Sequence, residues 1–227
     1  MNNVISASFG EYKKYVEEYY PKSEFSCTKY RKIIMNVFSL VELTDVFIDY
    51  LKDTNYTVYL DQIRHQLLLL LYNLPNYNNF FISSLQRGIS ESLLRLTIVS
   101  VGHEIDNSAK MPFFRIQEKL KVTDEYKLNK NKFKNACDSL FSYFGANSKI
   151  MHNNPSNKQT GVNYIKGFNV APSDSESAMI TKFLKVVSEY LLYTFSKSNN
   201  INDYTLGLAN KIQLKKILGI ETYQSYF

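Results

Sequence analysis

The stretch Asn79–Val101, NFFISSLQRGISESLLRLTIVSV, decides the fold. Phe80, Phe81, Ile82, Leu85, Ile89, Leu93, Leu94, Leu96, Ile98 and Val99 recur on a helical period and cover nearly the whole circumference. A helix apolar on all sides belongs inside a bundle of other helices. Arg87, Glu91 and Arg95 interrupt it at four-residue spacing and so line one face, with Ser84 and Ser92 close by. Charges on an interior helix must pair or face a polar cavity, because a lone buried charge is very costly. The strip is therefore either a structural Arg–Glu–Arg ladder between helices or the wall of an anion-binding cleft.

Working outward, the same period recurs in Val4–Tyr20, Cys27–Leu51, Val58–Leu74, Met111–Lys121, Lys130–His152 and Leu206–Leu218. Pro21 and Pro75 stop two of these helices, and Gly102 closes the decisive one. Ser173 and Glu176 have capping-box spacing and open a helix that runs to about Ser196. Asn153–Asp174 lacks helical periodicity and holds two Gly and two Pro, which predicts a functional loop or a short hairpin. The fold class expected is all-α: a single helical-bundle domain over residues 1–227, of seven to nine helices, with one long irregular loop near 153–174.

Composition agrees with this class. In 227 residues, 44% hydrophobic and 21% charged residues describe a globular chain, and 8 Gly with 5 Pro are too few for a turn-rich β-sandwich or barrel. The longest purely apolar run, Leu67–Leu71, falls far below the roughly 20 residues of a membrane span, so no membrane association is expected. The first twenty residues lack a basic start followed by an apolar segment, so no secretory leader is expected. Cys27 and Cys137 stand 110 positions apart without a CxxC and are read as two buried free thiols, which suits a cytoplasmic protein.

Charge is uneven. Residues 110–170 hold eleven Lys/Arg against four acids, a local excess of +7, whereas the rest of the chain sums to −1. Such a segment is either a solvated lysine-rich face or an electrostatic footprint for phosphate. Lys130, Lys132, Lys134, Lys149 and Asn153 are its candidate nucleic-acid contacts. Of the three histidines, His65 lies on an apolar helix and His103 follows Gly102 at a helix end. His152 ends a helix among Asn, Ser and Lys just before the irregular loop, where it either caps the helix or serves as a general base or phosphate ligand. No Gly-rich phosphate loop, GxSxG elbow, HExxH or Cys/His cluster is present, so neither a metal nor a cofactor is expected.

A helix carrying Arg87, Glu91 and Arg95, followed by a later helix ending Ser148-Lys-Ile-Met-His152-Asn153, resembles the HEPN superfamily over roughly residues 79–195. These are helical-bundle proteins of bacterial toxin and phage-defence systems, many of them metal-independent ribonucleases. The resemblance implies a cytoplasmic protein that binds or cleaves RNA, a homodimer formed through helix faces, and a protein partner from the same defence or toxin system. It implies His152 with Arg87 or Arg95, and Glu91 beside them, as the catalytic set. The family's signature places an Arg before the His with four to six residues between them, and here Asn147, Ala146 and Gly145 occupy those positions. An active site would have to be rebuilt from two helices; otherwise the chain is a non-catalytic sensor or binding subunit that docks a partner through its basic 110–170 region.

Overall fold

The computed structural model describes residues 3–52, 54, 56–100, 105–128, 133–152, 171–198 and 201–227. Eleven α-helices lie among them: α1 (Asn3–Tyr19), α2 (Arg31–Leu51), α3 (Thr57–Asn73), α4 (Asn79–Ser100), α5 (Ile105–Lys110), α6 (Phe113–Val122), α7 (Asp124–Leu128), α8 (Phe133–His152), α9 (Asp174–Tyr193), α10 (Leu208–Leu218) and α11 (Ile220–Tyr226). No strand occurs among the described residues, and the chain is an all-α bundle. The eight helices expected from periodicity are all present. The three additional ones, α5, α7 and α11, are 6, 5 and 7 residues long, too short to display a period. Most of the expected loop, residues 153–170, lies outside the described residues, as do His103 and Gly102.

Local chemistry sets the helix ends. Asn78 Oδ1 accepts the amide hydrogens of Phe80 (2.9 Å) and Phe81 (3.3 Å), satisfying donors that the start of α4 would leave free. Ser173 and Glu176 form the expected capping box at α9: Ser173 Oγ accepts from the Glu176 amide, and Glu176 accepts from the Ser173 amide at 2.8 Å. Gly219, at φ 80°, lets α10 end and α11 begin at once, a conformation that disfavours any residue with a Cβ. The predicted start of α2 at Cys27 is displaced to Arg31, because two 3-10 turns, Glu24–Ser26 and Thr28–Tyr30, pack Phe25 and Tyr30 as a stacked pair at 4.3 Å.

Five long helices close a ring in the order α2, α3, α4, α8, α9 and back to α2. Short connections make α2/α3 and α3/α4 antiparallel. Antiparallel pairing of α4 with α8 follows from Gln86 meeting Asn147 near one end while Thr97 and Cys137 both meet Tyr190 near the other. The ring closes with α2 and α9 parallel: Lys29 pairs with Asp174 at the start of the two helices, and Phe47 stacks on Phe195 at 4.0 Å at their far end. One continuous hydrophobic core fills the ring. Ile89, Leu93 and Leu96 of α4 are each 0% exposed, and full burial of such a side chain stabilises by about 1.5–3 kcal/mol.

Candidate functional site

The α4/α8 seam carries the charged strip. Arg87 Nε donates to Ser148 Oγ at 3.0 Å, and the Ser148 hydroxyl itself donates to the Phe144 carbonyl at 2.7 Å, so its lone pair is free to receive the guanidinium. The Arg87 guanidinium lies 4.6 Å from the centre of the Phe144 ring, which is stacked on Phe113 at 3.4 Å. Beneath it, the buried pair Gln86 and Asn147 shares a 3.3 Å hydrogen bond that sets the register of the two helices.

Glu91 joins the two arginines, but unequally. Its Oε1 accepts from Arg95 Nη2 at 2.6 Å, whereas its Oε2 stands 3.9 Å from Arg87 Nη2. Arg95 also donates to the carbonyls of Met111 (3.0 Å) and Ser108, which ties α4 to the turn between α5 and α6. Burial follows the same gradient: the Arg95 side chain is 12% exposed, Glu91 26% and Arg87 35%. Only the Arg95 end has the depth expected of an interior strip, because among the described residues α4's Arg87 end is covered mainly by the last turns of α8.

His152 is exposed on the final turn of α8, four residues beyond Ser148 and so on the same face, about 6 Å further along the axis. The structure thus brings Arg87 to within one helical turn of His152. Arg95 lies eight residues along α4 from Arg87, about 12 Å in the direction away from His152, with its donors directed at Glu91 and two carbonyls. Lys149 is exposed beside His152, where its charge complements the negative end of the α8 macrodipole. Lys134 is at the other end of α8, about 22 Å from Lys149 along the axis, with its ammonium 5.6 Å from the Tyr126 ring. Lys130, Lys132 and Asn153 lie outside the described residues. The two described candidate lysines, Lys134 and Lys149, therefore stand at opposite ends of one helix.

Sequence reasoning missed Phe144 and Gln86 as partners of the strip. A hydrogen-bonding residue at the otherwise apolar position 86, directly before Arg87, was the available signal. Gly88 was a second: a Cβ there would stand 2.6 Å from Gln66 Nε2, so the glycine permits close approach of α3. The cysteines depart from expectation. Cys137 is buried, with its thiol pushed up to about 12 by burial despite a contact to the Tyr190 hydroxyl, but Cys27 is exposed. Its place between two 3-10 turns, rather than on α2, puts it at the surface.

Among the described residues, no helix is long and apolar enough to cross a membrane, and no three His, Cys, Asp or Glu side chains are grouped to hold a metal ion. The fold and the seam define an all-α bundle with a mixed-charge strip between two antiparallel helices. No family model matches the chain, no curated protein matches its sequence, and no solved structure matches its fold.

Proposed function

We propose that this is an RNA-binding helical protein of HEPN type, acting as a metal-independent ribonuclease through Arg87 and His152. One observation carries the reading: Arg87 on α4 is hydrogen-bonded to Ser148, one turn before His152 on α8. A cation and an imidazole from different helices then share one exposed corner, standing in for the Arg and His that the family places on a single segment. In the reaction, neutral His152 takes the proton of a ribose 2′-hydroxyl. The 2′-oxygen attacks the adjacent phosphorus, and the bond to the 5′-oxygen of the next nucleotide breaks, that oxygen taking up a proton from protonated His152 or from water. The products are a 2′,3′-cyclic phosphate and a 5′-hydroxyl end. Arg87 offsets the charge that develops on the phosphate oxygens, and Lys149 adds attraction for the backbone. A cytoplasmic homodimer with a partner from a toxin or defence system belongs to the same proposal.

The second reading, RNA binding without cleavage, is favoured by the commitment of Arg95 to Glu91 and backbone carbonyls, which leaves Arg87 alone of the two candidate arginines to face a phosphate. The test uses single-stranded RNA with wild type, Arg87→Ala and His152→Ala in EDTA. Cleavage to cyclic-phosphate ends that falls by about 10²–10⁴ in His152→Ala, with binding retained, supports the nuclease. Binding without cleavage in the wild type selects the second reading, and absence of both rejects the proposal.

A further inference from the structure

A groove of about 380 Å³ runs between the parallel helices α2 and α9, roofed by the end of α10 and by Thr222 of α11. It lies outside the α4/α8 seam and shares no lining residue with it. Its volume is within the range that encloses a small molecule.

The floor and the lip of this groove differ in chemistry. Leu40, Leu43 and Leu184 form an apolar floor, each no more than 2% exposed, and Ile217 adds to it from above. Lys32, Asn36, Lys185 and Ser188 supply polar groups, and no acidic residue lines the groove. Among the described residues, Lys32, Asn36 and Ser188 make no side-chain hydrogen bond or ion pair. Lys185 has only Glu189, 3.7 Å away at an exposed position. Lys32 is also placed against electrostatic preference. Arg31 and Lys32 open α2, which has no acid in its first turn, so two cations sit where the macrodipole is already positive. Lys32 at a positive helix end and Lys185 midway along α9, beside free amide and hydroxyl donors and without a carboxylate in the lining, form a surface complementary to an anion. The leucine floor beside them would bury an apolar body.

We propose that this groove binds a small amphipathic oxyanion: a carboxylate or phosphate monoester carried on a short apolar chain. The head group pairs with Lys32 and Lys185 and accepts from Asn36 and Ser188, while the chain lies on Leu40, Leu43 and Leu184. Neither part suffices, because two exposed lysines bind a bare anion weakly in water and the floor is too small to hold an uncharged chain strongly.

The test is calorimetric titration of the full chain with sodium octanoate, octyl phosphate, octanol and inorganic phosphate. Saturable one-to-one binding of octanoate or octyl phosphate is expected, with octanol and inorganic phosphate at least about tenfold weaker. The tighter of the two anions identifies the head group. The double substitution Lys32→Gln/Lys185→Gln should weaken binding about tenfold or more without changing the melting temperature. Ser188→Phe, which fills the groove without altering charge, should also abolish binding. Octanol binding as well as octanoate, unchanged affinity in the double variant or in a folded Ser188→Phe protein, or no binding of either anion at millimolar concentration would each overturn the proposal. Failure here would leave the Arg87–His152 corner untouched, since the two places share no residue.

Discussion

Replacing Arg95 with Met should destabilise the protein far more than the same change at Arg87, although the two arginines occupy equivalent positions on one helix. Arg95 donates through Nε and Nη2 to Glu91, and to the carbonyls of Met111 and Ser108, with its side chain 12% exposed. Hydrogen bonds to a charged group contribute about 1.5–3 kcal/mol each but do not add, and breaking a fully buried pair costs about 3–5 kcal/mol. Glu91 is 26% exposed and keeps Arg87 3.9 Å away, so water and a second cation relieve part of the loss. A cost of about 3 kcal/mol follows. For a chain of this length it corresponds to a fall of about 6–12 °C in melting temperature. Arg87→Met removes one bond to a neutral serine and a half-open stack on Phe144, which amounts to about 1 kcal/mol. Adding Glu91→Leu to Arg95→Met should recover part of the cost, because the uncompensated carboxylate goes with its partner. Thermal melts of the four proteins measure this directly. Arg95→Met melting within 2 °C of wild type, or proving milder than Arg87→Met, would refute the assignment of Arg95 as the structural end of the strip.

Four further outcomes are expected. Ser173→Ala should cost about 1 kcal/mol by opening the α9 capping box, and a urea midpoint equal to wild type would contradict the box. Burial opposes the Glu176 charge, but hydrogen bonds from the Ser173 hydroxyl and amide and from Tyr77 outweigh it and hold the carboxyl below its ordinary value of 4.5; its contribution is therefore full above that pH and lost as pH falls through the folded value, so the stability gap between wild type and Glu176→Gln should shrink from pH 7 to pH 3. A thiol reagent at neutral pH should modify exposed Cys27 quickly and buried Cys137 only on denaturation, and two fast thiols would contradict the burial of Cys137. If RNA lies against the His152 corner, Lys149→Glu should reduce the slope of log affinity against log salt by about 0.7 or more while Lys134→Glu changes it little, and the opposite order would move the RNA to the other end of α8.

How legible each element was depended on how local its causes are. The period of α4 and the capping box of α9 involve residues within a few positions of one another, so both could be read from the chain. The helices α5, α7 and α11 span two turns or fewer and show no period. The 3-10 turns ahead of α2 exist because Phe25 and Tyr30 stack beneath the bundle, with the Tyr30 hydroxyl near Glu24 and the Pro172 carbonyl, a contact across 142 positions. No short window of sequence contains both Tyr30 and Pro172. The groove between α2 and α9 was equally out of reach, since its two lysines are 153 positions apart and meet only because the ring closes with those helices parallel.

The strip shows most clearly where local reasoning stops. Arg87 and Arg95 sit at equal spacing on either side of Glu91, so nothing within the helix distinguishes them. What separates them is the chain that returns over each end. Over Arg95 come α5 and α6, offering the carbonyls of Ser108 and Met111, and backbone acceptors hold a guanidinium without needing a ligand. Over Arg87, among the described residues, comes the last part of α8, offering a serine hydroxyl and an aromatic face. The Gln86–Asn147 pair and the close approach of Gly88 to Gln66 hold α4 against rotation, so Arg87 cannot turn inward to find better partners. A phosphate competes poorly with two carbonyls and a carboxylate already in place, but well with one hydroxyl and water. Any anion that this strip recognises must therefore enter at the Arg87 end, on the side of His152.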